Sequence, residues 1–241
     1  MAKRKRRSAG KRARKRGFRP FRFLGKMILT VFLLTLVWAG IYRFVPVPAT
    51  SIMVRDWTSG TGVTKDWVPM SRISPNMPRA VIGAEDAKFC EHWGFDVEAI
   101  EKAMQKNEQG GRLRGASTIS QQTAKNVFLW PGRNMVRKGL EAYFTGLIEL
   151  AWGKHRIMEV YLNVAEFDAG VYGVEAASRH YFSKSAKDLT RREAARLAAI
   201  LPDPVGRSAS NPGPYTTRYA SRIERWIPIV DGDGQDSCLG M

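Results

Sequence analysis

The sequence predicts an all-α architecture, a single N-terminal membrane-spanning helix followed by a mainly helical domain, on three observations. From Met27 to Tyr42 there is no charged residue. If Arg43 snorkels, the apolar helix runs on to Val47 and reaches the roughly 20 residues that a bilayer core requires. Downstream, apolar residues recur at helical spacing behind recognisable caps, and convincing period-2 alternation is absent.

The first element, residues 1–26, is a basic tail. Thirteen of the 39 Lys and Arg residues precede Met27, and the first acidic residue is Asp56. The net charge of +17 is therefore a property of the tail, since 26 basic and 22 acidic residues remain beyond it. A basic nucleic-acid-binding body is not supported. The second element, 27–47, is longer than the apolar region of a cleaved signal peptide, about 7 to 15 residues, and reads as a retained anchor. Positive charge clustered before it, with Arg43 alone after it, puts the N-terminus in the cytoplasm and everything from Pro48 outside. The tail then sets topology and touches anionic lipid.

Residues 48–70, rich in Thr, Ser, Gly and Pro, read as a linker. The domain is expected over 71–230, with 231–241 as a C-terminal tail. Asn76 and Pro78 open a first helix, with Val81, Ile82, Glu85 and Phe89 at helical spacing. Thr118-x-x-Gln121 and Thr190-x-x-Glu193 are capping boxes, the second opening a helix that stops at Pro202. Leu140, Phe144, Leu147 and Ala151 form an apolar stripe ended by Gly153, and Ile157, Val160 and Tyr161 suggest a further helix. Cys90 and Cys238 are the only cysteines, and a disulfide between them is possible but not demanded. His92, His155 and His180 lack metal-ligand spacing, so His92 reads as a structural histidine.

The chemistry begins at Glu85. Its spacing puts a carboxylate on the face of the first helix that should be buried, and desolvation raises the pKa of such a group toward that of a base or acid active near neutrality. The competing reading is an ion pair with Arg79 or Lys88.

The longer string, Glu85-Asp86-x-x-Phe89-x-x-His92-x-Gly94-x-Asp96, resembles the first signature of the peptidoglycan glycosyltransferase family. Further signatures follow in that family's order: Gly115-x-Ser117-Thr118-Ile119-x-Gln121-Gln122-x-x-Lys125-Asn126, then Arg137-Lys138-x-x-Glu141, then Lys154-x-x-Ile157-Met158-Glu159-x-Tyr161-Leu162-Asn163. Glu193-Ala194-Ala195-x-Leu197-Ala198 completes the five, with Pro202, Pro204 and Asn211-Pro212 behind it. Any one would be weak; five in order are specific. The resemblance implies a lysozyme-like helical domain with catalytic carboxylates at Glu85 and Glu141. It implies substrate contacts at Ser117, Gln121, Lys125, Asn126, Arg133, Arg137 and Lys138. It also implies the reaction, extension of a glycan still attached to its lipid diphosphate, with the 4-hydroxyl of a lipid-linked disaccharide-peptide as nucleophile and inversion at the anomeric centre. With no transpeptidase domain following, the resemblance is to the family's monofunctional members.

Read physically, an alcohol nucleophile needs a base and a diphosphate leaving group needs cations. Glu85 can supply the first; Lys125, Arg133 and Lys138, around a Pro-Gly break, can supply the second. One such cation at 4 Å interacts with a phosphate charge by about 4 kcal/mol at an effective dielectric near 20. Glu141 stands four residues from Arg137 and three from Lys138, so it also fits a helix salt bridge. Gln121 and Gln122 suit sugar recognition or the helix cap. Phe128, Leu129 and Trp130 read as core or as a loop dipping into the membrane. No cofactor is required by the sequence, although Mg²⁺ or Mn²⁺ at the diphosphate stays open. Asp231-Gly-Asp233 lacks the rest of a calcium loop. The rival functions are a glycan-cleaving hydrolase, which gains little from the cations, and a non-enzymatic anchored scaffold for cell-wall synthesis proteins.

Overall fold

The computed structural model describes residues 20–108, 117–132 and 134–241. It divides into two units, Met1–Trp38 and Ala39–Met241. Helix α1, Pro20–Tyr42, begins in the first and ends in the second. Its stretch Phe21–Tyr42 is long and apolar enough to cross a membrane, which fits an anchor. The helix starts before Met27 and takes in Arg22 and Lys26.

The second unit is built from α2 (Ser51–Thr58), α3 (Asn76–Glu85), α4 (Val97–Glu108), α5 (Ile119–Phe128), α6 (Met135–Val164), α7 (Val174–Phe182), α8 (Arg191–Ile200) and α9 (Pro214–Gly232). Three short strands, β1 (Thr64–Lys65), β2 (Glu166–Asp168) and β3 (Val171–Tyr172), form a sheet of order β1-β3-β2. Strand β1 lies parallel to β3 and β2 antiparallel to it. The strands are two or three residues long, too short for alternation to announce them.

Both capping boxes form. Thr118 and Thr190 accept from the N3 amides, while Gln121 and Glu193 reach back to the cap amides. Helix α6 breaks at Gly153, whose φ of 74° and ψ of 163° separate its two halves, as the end of the apolar stripe implies. Helix α5 packs along α6, and α3 packs against α8 and α9. Gly94 is equally constrained: at φ 79° an added Cβ would lie 2.7 Å from Thr145 Cγ2, which explains a glycine in the first signature.

Residues 48–70, expected to be linker, fold into the domain. Met53, Asp56, Val68 and Met70 are buried. Asn163 clamps Val68 by accepting from its N–H and donating to its carbonyl, both at 2.9 Å, and Glu159 Oε2 accepts from Met70 N at 2.9 Å. Composition could not reveal this, because the partners lie about 90 residues away in sequence. The expected tail, 231–241, is likewise structural. Arg79 pairs with Asp231 at 2.6 Å and Asp236 at 2.7 Å, Leu239 is buried, and Cys238 is bonded to Cys90.

The apolar trio is not a membrane loop. Phe128 ends α5 with 7% exposure and stacks on Phe144 at 4.5 Å between ring centroids, Leu129 is 3% exposed, and only Trp130, at 47%, faces outward. Periodicity continued from Ala124 carries Phe128 inward, and Leu129 is buried as the extended C-cap that follows it. Phe128→Ser should therefore lower stability by roughly 3–5 kcal/mol, whereas Trp130→Ser should cost less than about 1 kcal/mol. Chemical denaturation of the two variants checks this; equal, small losses would restore the loop reading.

Candidate active site

Glu85 is the last residue of α3, and Asp86 follows it as the C-cap. The Asp86 carboxylate is buried and joins three segments. Its Oδ2 accepts from the backbone N–H of Ile119, the first residue of α5, at 3.0 Å. Its Oδ1 lies 2.9 Å from His92 Nε2. An acceptor at a helix N-terminus satisfies an otherwise orphaned amide and meets the positive end of the dipole. His92 is thus engaged structurally, and α5 is set in register with the end of α3.

That register presents one face of α5 to Glu85. Gln122, Lys125 and Asn126 stand at i, i+3 and i+4 and share a face. Gln122 Nε2 donates to Glu85 Oε2 at 3.0 Å, and the hydroxyl of Tyr161 donates to Gln122 Oε1 at 3.4 Å. The short contact is the one to the carboxylate, so the amide offers its N–H to Glu85, and the Tyr161 hydroxyl stands at longer range on its oxygen side. Burial raises the pKa of Glu85, opposed by the Gln122 hydrogen bond and the charges of Lys125 and Arg207, and reinforced by Asp86. Tyr161 is pushed well above its ordinary value, chiefly by burial, and remains a donor.

The second carboxylate comes from the start of α6. Asn134 caps that helix by accepting from Arg137 N at 2.7 Å. Within its first two turns Arg137 is 9% exposed and Glu141 3% exposed. Glu141 pairs with Lys138 and lies 3.8 Å from Arg137 Nη2. The Nε of Arg137 is buried without a hydrogen-bond partner among the described residues. Lys125 belongs to both groups. Burial lowers its pKa, Glu141 and Glu85 raise it, and Arg137 and Lys138 lower it further. A partly buried ammonium therefore feels both carboxylates and two other cations.

Of the residues singled out from sequence, Glu85, Lys125, Arg137, Lys138 and Glu141 come together here, and Asn126 lines the adjoining cavity. Ser117 is exposed just before the α5 cap. Arg133 lies outside the described residues. Gln121 takes the cap alternative: its side chain is buried in the capping box, accepting from Thr118 N at 3.0 Å, and the glutamine that reaches the Glu85 carboxylate is Gln122. Sequence held the signal, because a capping box commits Gln121 and leaves Gln122 on the face of Lys125. Asp86 and Tyr161 stood in the signatures without an assigned role, and Arg207 was not anticipated. Among the described residues no group of three or more His, Cys, Asp or Glu side chains is placed to hold a metal ion.

Beside Gln122 and Lys125 opens a cavity of about 180 Å³, walled by α2, α5, the end of α6 and the small sheet. Two carboxylates thus stand near it in different surroundings, Glu85 desolvated at a helix end and Glu141 embedded among cations, with Lys125 in the field of both. The chain belongs to the transglycosylase family, whose sequence pattern matches residues 53–227. It is 52% identical over 222 residues to a biosynthetic peptidoglycan transglycosylase of Caulobacter vibrioides, covering 90% of this chain and 97% of the relative. Proteins of the same name from Bdellovibrio bacteriovorus (52%, 90% of each chain) and Pseudomonas fluorescens (51%, 80% of this chain and 83% of the relative) are comparably similar.

The raised pKa of Glu85 has a consequence for stability. A carboxyl whose folded pKa exceeds its unfolded value contributes its full stability below the unfolded value and loses it as pH rises through the folded one. Glu85→Gln, a neutral near-isostere, should therefore raise the melting temperature at pH 7.5 by about 2–4 °C for each kcal/mol relieved. The gain should shrink toward zero at pH 4, where the wild-type carboxyl is protonated. Melting curves at both pH values measure it; an equal shift at both would mean that the charge is not the cause.

Proposed function

We propose that this chain extends a peptidoglycan strand while the strand remains attached to its lipid diphosphate, taking a lipid-linked disaccharide-peptide as acceptor. The observation that carries the reading is the partly buried Lys125, coupled to Glu85 on one side and to the Glu141, Arg137 and Lys138 group on the other. In this reading the acceptor's 4-hydroxyl gives its proton to Glu85 as its oxygen bonds to the anomeric carbon. The bond from that carbon to the diphosphate oxygen breaks from the opposite face, inverting the centre. The bonding electrons leave with the diphosphate, where Lys125, Lys138 and Arg137 meet the growing negative charge. The unpartnered Nε–H of Arg137 is a donor available to such an anion. Glu141 holds Arg137 and Lys138 in place and offsets their mutual repulsion.

That the chain is a peptidoglycan glycosyltransferase follows from its family and its relatives. The cations favour polymerisation over cleavage, since a sugar alcohol leaving from a hydrolase gains little from them. For location, the basic residues before α1 support a cytoplasmic N-terminus with the domain outside. The Cys90–Cys238 disulfide supports an oxidising compartment for the domain.

Purified lipid-linked precursor mixed with the full chain in detergent should yield polymer, and Glu85→Gln should reduce the rate by about 10²–10⁴-fold without loss of fold. Near-normal polymerisation by that variant would remove Glu85 as the base. On membrane vesicles of known orientation, protease added on the extracytoplasmic side should digest the domain and spare the basic tail; digestion only from the cytoplasmic side would reverse the topology.

A further inference from the structure

The chain leaving α1 is held by cations that the reaction does not use. Arg156 of α6 donates from Nη2 to Tyr42 O at 2.9 Å and to Val45 O at 2.6 Å. Lys65 of β1 donates from Nζ to Val47 O and, at 3.2 Å, to Pro48 O. Both cations lie over the Trp67 ring, the ammonium 5.4 Å and the guanidinium 5.2 Å from its centroid. The apolar stretch Phe21–Tyr42 ends where this group begins. On the reading that α1 crosses the membrane, the stretch fills the hydrocarbon core and the carbonyls of residues 42–48 stand at the headgroup level. Phe44 and Val45 are exposed there, and tryptophan and tyrosine are the aromatic residues that favour that level.

The two cations are not balanced alike. Arg156 is paired with Glu159 Oε1, and Glu159 Oε2 accepts from Met70 N at 2.9 Å. Lys65 has no such acid: burial pulls its pKa down to about 8, and no carboxylate opposes the shift. Asp66 stands next to it in sequence, but Lys65 and Trp67 are half-buried while Asp66 is exposed. That alternation puts Asp66 on the other face of the extended chain. The indole N–H of Trp67 donates to no group among the described residues. Arg43, exposed just beyond Tyr42, adds positive charge at the same level. A desolvated ammonium without a counter-charge, beside an unused N–H, calls for an anion presented at the membrane surface.

We infer that Lys65 and Trp67 form a headgroup site for an anionic phospholipid, whose phosphate accepts from the Lys65 ammonium and the Trp67 indole N–H where α1 ends. Arg156 is the positioning residue. Committed to Glu159 and to the carbonyls of Tyr42 and Val45, it holds the indole and the exit of α1 together. None of Lys65, Trp67 and Arg156 lines the cavity beside Lys125, so the occupant is a component of the bilayer and not the diphosphate that reacts. The site rests on α1 crossing the membrane and is independent of the reaction assigned to Glu85.

The probe is phosphatidylglycerol against phosphatidylcholine of the same acyl chains, titrated in equal amounts into detergent micelles holding the full chain. Native mass spectrometry counts the lipid retained per chain. The basic tail is present in every variant, so differences among variants belong to the domain. Lys65→Gln should weaken one bound phosphatidylglycerol about fivefold, the ~1 kcal/mol that a basic side chain contributes at an anionic lipid surface, and leave phosphatidylcholine unchanged. Lys65→Arg should retain it, because the charge remains. Trp67→Phe, which keeps the ring and loses the N–H, should weaken it, and Arg192→Gln, an exposed cation on α8, should not. Melting temperature in phosphatidylcholine alone reads any structural loss separately. Equal phosphatidylglycerol retention by wild type and Lys65→Gln overturns the site even where the variant melts lower, since Lys65 then only clamps the chain. An equal loss in Arg192→Gln overturns it by reducing it to diffuse charge, and unchanged retention in Trp67→Phe removes the indole from it. Preferential retention of a polyprenyl diphosphate over phosphatidylglycerol at this site overturns the choice of lipid. Failure of the wild type to sediment with phosphatidylcholine vesicles would instead sink the anchor reading of α1, a result distinct from lost headgroup selectivity.

Discussion

The arrangement depends on where the carboxylate of Asp86 finds its partners. Its two oxygens reach the first amide of α5 and the ring of His92, so a residue adjacent to Glu85 determines which face of α5 Glu85 meets. A helix advances about 100° per residue, and moving the pinned amide by one position would turn Gln122 and Lys125 away together. The Thr118 cap strengthens the same joint, because its hydroxyl also donates to Gly94 O at 2.6 Å. Gly94 in turn tolerates no side chain against Thr145. Two of the family's signatures, the first and the second, thus meet at one packed corner, and their spacing expresses a register.

On that corner the site separates its charges by function. Glu85 is desolvated and, among the described residues, receives one neutral hydrogen bond, from the Gln122 amide. It therefore keeps an affinity for a proton, which a base requires. Glu141 is more deeply buried yet is engaged by Lys138 and approached by Arg137, so its charge is spent on neighbouring cations. Two glutamates of one chemical type thereby acquire different capacities from their neighbours. Lys125 makes the division possible, because it sits in the field of both.

How much of this could be read from sequence varied with the range of the interaction. Features set within one helical turn were legible: the capping boxes at Thr118 and Thr190, the break at Gly153 and the inward face of α3 follow from spacing alone. The signatures held Glu85 and Glu141, which the structure brings near Lys125, Arg137 and Lys138. Illegible were features set by distant partners. Residues 48–70 read as linker because Ser, Thr and Gly there carry no sign that Glu159 and Asn163 hold them. The end of the chain read as a tail because nothing near Asp236 announces Arg79. Of the two adjacent glutamines, read alike as sugar contacts or as part of the cap, Gln121 is the one the cap takes.

The same long-range logic explains why the second half of α6 carries so many polar groups at buried positions. Trp152 Nε1 donates to Ala39 O at 2.8 Å, and Arg156 Nη2 donates to Tyr42 O at 2.9 Å and Val45 O at 2.6 Å. The Ala39 carbonyl also accepts from Arg43 N at 3.1 Å, whereas those of Tyr42 and Val45 lie at and just beyond the end of α1, where a helix leaves acceptors without an intrahelical partner and favours a cation. Two turns of α6 then supply Glu159 and Asn163 to the chain at Met70 and Val68. One helix face thus satisfies the backbone on both sides of α2, from the last turn of α1 to the approach to α3. Each acceptor taken this way is one that water would otherwise have to fill. Residues 39–70 are therefore part of the catalytic unit, and α2 brings Thr50, Ile52 and Asp56 to the cavity and its supporting shell because α6 fixes the chain at both of its ends.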